Sequence, residues 1–292
     1  MKGSMTWEET IKFIRTQPEY KYLVKKAYFE ENLALNVERF RKSEEFIETL
    51  QLLKKHHPNA KEILDIGSGN GISAIALALE GFNVVTVEPD ESDTIGAGAI
   101  RKLKAHYNIT NLVIHEVFAE EIGFADESFD IVYARQCMHH AYDLEKFVAE
   151  ASRVVKKDGF FMTIRDHVIF NKKDKEWFLE KHPLHKFYGG ENAFKPEEYK
   201  NAMEKAGLEV VKELKYYDSI INYFPSSKED IINMFKVKQS KAILSLDKKI
   251  GFLSKFSFIQ KMYFRRIGLF KENVYDESRI PGRMYSYIAV KK

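Results

Sequence analysis

Residues 63–90 read ILDIGSGNGISAIALALEGFNVVTVEPD, with three glycines in five positions between two apolar runs. Glycine lets a backbone turn sharply and lets a ligand approach without meeting a Cβ. A helix begins where this turn ends, so free N–H groups and the positive end of its dipole face the space above it. Glu88 closes the next strand, with Pro89 behind it, and a carboxylate there accepts both protons of two vicinal ribose hydroxyls. Asp65, Gly67, Ser68, Gly69, Asn70, Gly71, Glu88 and Pro89 therefore outline a mononucleoside site at the carboxyl edge of an open sheet. The spacing D-x-G-x-G-x-G differs from the dinucleotide fingerprint G-x-G-x-x-G, because the third glycine comes one residue early.

A second group of reactive side chains lies at two later strand ends. Arg135, Gln136, His139 and His140 follow one strand, and Arg165, Asp166 and His167 close the next. A neutral imidazole serves as a base near pH 7, in the order His140, His139, His167, with Asp166 as a further catalytic candidate. The competing reading has one histidine packed beneath the nucleoside and Asp166 paired with Arg165. The stretch HPLHKFYGGENAF, residues 182–194, follows the same strand and fits either a plain surface loop or a lid hinged at Gly189-Gly190. As a lid it adds His185, Tyr188 and Glu191 to Arg165 as substrate contacts. His182 and His185 amount to half a metal site, and without a second cluster the sequence predicts no metal.

These residues need a scaffold. EILDIG, FNVVTVE, LVIHEV, FDIVYA, FFMTIRDHV, LEVVKELKYYDS and the last twelve residues read as strands. GISAIALALEG, AGAIRKLKAHY, DLEKFVAEASRVVKKDG and KPEEYKNAMEKAG read as helices between them, the last starting at a first-turn proline and stopping at Gly207. Strands alternating with helices imply right-handed βαβ units. The expected fold is α/β, a Rossmann-like, doubly wound, seven-stranded and mostly parallel sheet. Residues 1–59 form an N-terminal helical cap, with Thr6 capping the first helix and Phe46, Ile47, Leu50 and Leu53 on the apolar face of the last. Residues 60–292 form the main domain, with insertions at 169–195 and 225–280. Tyr28, Arg39 and Arg41 of the cap read as packing and solvated surface.

The 292 residues carry a net charge of +3 and one cysteine, Cys137. That excludes an intramolecular disulfide and a cysteine-based zinc site, and it gives no global nucleic-acid footprint. No signal-peptide pattern or spanning apolar run is present, so a soluble, cytoplasmic protein is expected.

The glycine turn, the acid at the next strand end and the strand order together resemble the first motif of class I S-adenosylmethionine (SAM)-dependent methyltransferases. The stretch FAEEIGFADESFDIVYARQCMHHAYDLEKF, with Ser128-Phe129-Asp130 and Met138-His139-His140, is similar to small-molecule methyltransferases of ubiquinone and menaquinone biosynthesis. The resemblance implies that Asp65 and the Gly67–Gly71 turn hold the methionine portion of SAM and that Glu88 holds its ribose, with S-adenosyl-L-homocysteine as product. Ala119, Glu120 and Arg135 complete the cofactor set. The family's acid before Ala119 is Phe118 here, so Glu120, or backbone and ring contacts, must take the adenine. The implied function is methyl transfer to a small molecule, a hydroxyl on a sugar, quinone-like ring or lipid-linked intermediate. The alternatives are a SAM-binding regulator without turnover and a nicotinamide or nucleotide-sugar enzyme on a similar sheet. The residues after the fourth strand lack the Pro-Pro-aromatic or Pro-Cys patterns of nucleic-acid methyltransferases, and Cys137 reads as a small buried residue, so no nucleic-acid partner is expected. Residues 236–271 hold ten Lys/Arg against one acid, Asp247, leaving the rest of the chain net acidic. Apolar residues recur there at Ile250, Leu253, Phe256, Ile259, Tyr263 and Ile267. Such a stretch lies on an anionic membrane, grips an anionic partner, or packs its apolar face on the sheet edge. The sequence leaves oligomeric state open.

Overall fold

The computed structural model describes residues 5–270 and 273–292, so Lys271 of the basic stretch and the start of the cap lie outside the described residues. Seven strands form one sheet: β1 Glu62–Ile66, β2 Asn83–Val87, β3 Leu112–His115, β4 Phe129–Arg135, β5 Val155–His167, β6 Leu208–Leu214 and β7 Met284–Lys291. Their order is β3-β2-β1-β4-β5-β7-β6, with only β7 antiparallel to its neighbours. The central strands are apolar on both faces, as a parallel sheet covered twice requires. Ile63, Ile131, Tyr133, Phe160 and Met162 face the helices Leu33–Arg41, Glu44–His56, Ile72–Leu79 and Ala97–His106. Leu64, Ile66, Val132, Ala134 and Phe161 face the helices Leu144–Val154 and Pro196–Lys205.

Local signals act as expected at several ends. Thr6 and Glu9 make a reciprocal capping box on helix Trp7–Thr16. Gly207, at φ +78°, ends the chain's turn after helix Pro196–Lys205. Two expectations are corrected. Helix Leu144–Val154 stops before Val155, because Val155 pairs with Phe129 and starts β5. Ile47 is 46 % exposed, and the buried face of its helix carries Glu45, Phe46, Thr49, Leu52 and Leu53 instead. The face is rotated because Glu45 has two cationic partners, described below.

β5 carries an irregularity that positions the site. Against β7, its register shifts between Thr163 and Asp166, which adds one residue to β5. Arg165 occupies the extra place with φ +61°, a conformation that costs a non-glycine residue about 1–2 kcal/mol. Successive strand residues already alternate between faces; the extra residue shifts that phase, so Ile164 and Arg165 both serve the face that carries Glu45 and Asp166 is turned to the other. At the other end of the strand, Asp130 ties three strands together. One carboxylate oxygen accepts the backbone N–H groups of Lys61 and Glu62 at 2.7 and 2.9 Å, and the other accepts Lys156 Nζ at 2.7 Å.

The segment 225–280 is helical, with helices Lys228–Ile250 and Ser257–Ile267. It packs mainly on itself, through Ser254 Oγ to Asp247 at 2.6 Å and Gln239 to the Leu269 carbonyl at 2.7 Å. Of the 23 residues in its long helix only Ile231 and Leu246 are buried. The expected apolar stripe is interrupted at Gly251, and Ile250, Leu253 and Phe256 are exposed rather than laid on the sheet. Among the described residues, no helix is long and apolar enough to cross a membrane.

Replacing Asp130 with alanine is expected to lower the unfolding free energy by about 1–3 kcal/mol, read from the denaturant midpoint. Burial raises this carboxyl, but the two amides and the Lys156 ammonium outweigh it and hold it at about 2. Its contribution is full above the unfolded value of about 4 and is lost as the pH falls through about 2. The alanine variant should therefore show a flatter acid limb.

Candidate functional site

The Asp65–Gly71 turn leaves β1 and enters helix Ile72–Leu79. Gly67, Gly69 and Gly71 all take positive φ, at +66°, +57° and +84°. A Cβ on Gly67 would lie 2.2 Å from Cys137 Sγ, and one on Gly71 would lie 2.8 Å from Ile100. Only glycine fits either place. Glu88 turns inward from the end of β2. One of its oxygens accepts the Gly69 N–H at 2.7 Å and the other accepts the Asp90 N–H at 3.0 Å. Burial pushes its carboxyl up to about 7, opposed by those two amides. Pro89, next to it, is exposed. Asp65 is fully buried and accepts Ser73 Oγ at 2.9 Å. Its second oxygen has no partner, and burial raises it to about 6. Ser68 Oγ lies 3.4 Å from Ser73 Oγ.

Asn70 also ties the turn to the rest of the chain. Its side chain donates to the Tyr28 carbonyl at 2.7 Å and fastens the turn to the N-terminal cap. Arg135 and Arg165 are likewise engaged. Arg135 Nε lies 2.6 Å from one oxygen of Glu45, and Arg165 Nη1 lies 3.3 Å from the other. Arg165 also donates to the carbonyls of Ile221 at 2.5 Å and Phe224 at 3.1 Å. Glu45 and Arg165 are buried, the Arg135 side chain is 13 % exposed, and its guanidinium lies over the Tyr28 and Phe40 rings. Arg165 therefore does not pair with Asp166. Glu45 carries no sequence signal beyond an acid in phase with the apolar face of its helix. Arg39 pairs with Glu30 and Arg41 with Glu80, both at the cap's rim.

Glu120 accepts the Tyr142 N–H at 3.0 Å, beside the half-buried Ala119. Phe118 and Tyr142 are 55 % and 90 % exposed and meet edge to face, forming an open aromatic corner next to the crevice.

The histidines converge. Asp166 accepts both the backbone N–H of His139 at 3.0 Å and its ring Nδ1–H at 2.9 Å, and it also holds Thr163. Burial raises Asp166 to about 6 and pushes His139 well down. His167 places Nδ1 2.6 Å from the Gly282 carbonyl, and burial lowers it to about 3. His140 stacks on His139 with ring centres 4.1 Å apart and places Nδ1 3.1 Å from the Gly190 carbonyl.

The segment 182–194 closes over this group. Tyr188 packs on Trp7 with ring centres 4.6 Å apart, and Phe187 packs on Phe13. That docking brings Glu191 to His139 Nε2 at 3.9 Å and to His182 Nε2 at 3.5 Å, with the Tyr188 hydroxyl on its other side. Burial raises Glu191, but the surrounding imidazoles outweigh it and hold the carboxyl at about 2. His185 does not join His182; its Nδ1 is buried without a partner.

A family profile described as a methyltransferase domain matches residues 37–213, more than half of the chain. The ubiquinone biosynthesis O-methyltransferase of Rhizobium etli (strain CIAT 652) is 25 % identical over 233 residues, covering 78 % of this chain and 87 % of that one. The uncharacterized methyltransferase YcgJ of Bacillus subtilis is 33 % identical over 105 residues, which span only 36 % of this chain and 40 % of that one. Among solved structures, Haemonchus contortus Phospholethanolamine N-methyltransferase 2, in complex with phosphomonomethylethanolamine and S-adenosylhomocysteine, superposes with a TM-score of 0.52. Its identity is 22 %, over 84 % of this chain and 52 % of that one, so the likeness is one of fold.

Removing one partner from a buried ion pair leaves an uncompensated charge. Glu45→Ala should therefore destabilise the protein by about 3–5 kcal/mol, seen as a lower denaturant midpoint. Val37→Ala, an apolar truncation of the same cap, provides the comparison for packing loss alone.

Proposed function

The chain belongs to the methyltransferase-domain family, and on that premise we propose that it moves the methyl group of SAM to a hydroxyl of a small-molecule acceptor. It is a class I enzyme, and SAM is its cofactor. The observation that carries the acceptor reading is the histidine cluster, which meets the glycine turn through Cys137. In this reading the ribose hydroxyls donate to Glu88, the methionine portion lies along Gly67–Gly71 near the unpaired Asp65 oxygen, and Phe118 and Tyr142 flank the adenine. The acceptor sits beneath the 182–194 lid, among His140, Tyr188 and Glu191.

Methyl transfer from a sulfonium has a good leaving group, so alignment supplies most of the rate. A hydroxyl acceptor must also lose its proton. A carbonyl oxygen can only accept, so His140 donates from Nδ1 to Gly190, and its Nε2 lone pair is left to take that proton. The oxygen forms its bond to the methyl carbon as the C–S bond breaks, and S-adenosyl-L-homocysteine and a methyl ether leave. The O-methyltransferase relative that covers most of this chain supports a hydroxyl acceptor. In the 225–280 insertion, Leu244, Phe252, Phe258 and Met262 are each more than half exposed among lysines. An amphipathic surface of that kind suits a lipid-linked acceptor delivered from an anionic bilayer.

Calorimetry should show SAM and S-adenosyl-L-homocysteine binding to the wild type, and Glu88→Ala should weaken both by about 10–100-fold. Ribose binding needs the ionised carboxylate, so wild-type affinity should fall as the pH drops through about 7, while Glu88→Gln loses that dependence. His140→Ala should lower kcat by about 100-fold or more while leaving SAM affinity intact. Tight SAM binding without turnover on any hydroxyl acceptor would instead favour a regulatory protein. Co-sedimentation with anionic vesicles should be strong at low salt and should fade as salt rises. Failure to sediment at low salt removes the membrane reading.

A further inference from the structure

The histidine pocket contains an arrangement that methyl transfer alone does not call for. His139, His167 and Glu191 each bring one ligand-type atom within 4.8 Å of the others. The two rings are held in the orientation that ligation requires. His139 gives its Nδ1–H to the Asp166 carboxylate and His167 gives its Nδ1–H to the Gly282 carbonyl, so both Nε2 atoms carry bare lone pairs. Metal-binding imidazoles are aimed by outer partners of this kind, a carboxylate or a backbone carbonyl. Glu191 completes the set with an oxygen that is buried and has no hydrogen-bond partner, although its side chain is only 6 % exposed.

Charge balance points the same way. Asp166 and Glu191 bury two carboxyl groups among imidazoles, and no Lys or Arg pairs with either among the described residues. Uncompensated buried charge is costly, and a dication would neutralise both. Four imidazoles, those of His139, His140, His167 and His182, gather at one point on elements far apart in sequence. A proton relay would need at most two of them.

We propose that His139, His167 and Glu191 form a binding site for a divalent transition-metal ion, with Asp166 and the Gly282 carbonyl as its outer partners. Two imidazoles and one carboxylate suit Zn²⁺ or Fe²⁺ and leave coordination positions open. The side chains need to contract by only about 1–2 Å to meet one ion at about 2.1 Å. The role of the open positions rests on the methyl-transfer reading: they would hold the acceptor oxygen, whose proton passes to His140 before the oxygen attacks the methyl carbon. The existence of the site does not depend on that reading.

The test uses the full chain, freed of metal by a chelator and then titrated with Co²⁺ and Zn²⁺ in the absence of acceptor and SAM. The expected result is one tight equivalent and visible ligand-field bands for Co²⁺. Glu191→Gln, His167→Gln and His139→Ala should each weaken Co²⁺ binding by at least about 100-fold, and Asp166→Asn by about 10–100-fold. SAM calorimetry on every variant reports whether the fold is intact, and only variants that still bind SAM are compared. If the wild type takes up neither ion, or Glu191→Gln and His167→Gln bind Co²⁺ as tightly as it does, the metal site is refuted while the methyltransferase reading stands. If the wild type takes up metal and fails to bind SAM, the opposite follows.

Discussion

The contact between Gly67 and Cys137 is the constraint on which the two halves of the site depend. It exists because nothing projects from Gly67, so the strand exit of β1 lies against the segment that leaves β4. One side of that contact is the glycine turn, tied by its Gly69 amide to Glu88. The other side, two residues on from Cys137, is His139. A side chain at Gly67 would push the glycine turn away from the Cys137 segment and so from the histidines that follow it.

The N-terminal cap is fixed to this centre by charge more than by its apolar stripe. Glu45 reaches between Arg135 and Arg165, which sit at the ends of β4 and β5, and Asn70 donates to the Tyr28 carbonyl from inside the glycine turn. Both guanidiniums are engaged in holding this roof. For Arg135, burial works against the cation and Glu45 more than offsets it; for Arg165, burial prevails. The same roof carries Trp7, on which Tyr188 packs, so the segment over the histidines and the N-terminal helices belong to one packed unit.

Much of the scaffold was legible in the sequence, because buried parallel strands are short apolar runs and each is bounded by glycines, charges or caps. All seven strands, the glycine turn and the inward acid at Glu88 follow from that pattern. The site was legible only in part. Nothing local distinguishes Glu45 from other acids on helices, since its meaning comes from Arg135 and Arg165, more than 80 residues away. The pairing of Asp166 with His139 instead of Arg165 depends on one extra residue in β5, which periodicity cannot show. The approach of Glu191 to His139 and His167 depends on how a 27-residue connection docks against the first helix. Such long-range closures are set by packing of the whole chain, and a motif scan sees only their separate pieces.

The strand order has a consequence for how the protein is made. β7 lies between β5 and β6, yet it follows both in the chain and comes after the whole 225–280 helical segment. During synthesis β6 has no partner until the ribosome has released β7, and until then β5 presents a bare apolar edge. The parallel half, β1 to β5, can assemble early around the nucleoside crevice. The antiparallel half must wait, and in that interval the nascent chain is open to wrong edge-to-edge pairing.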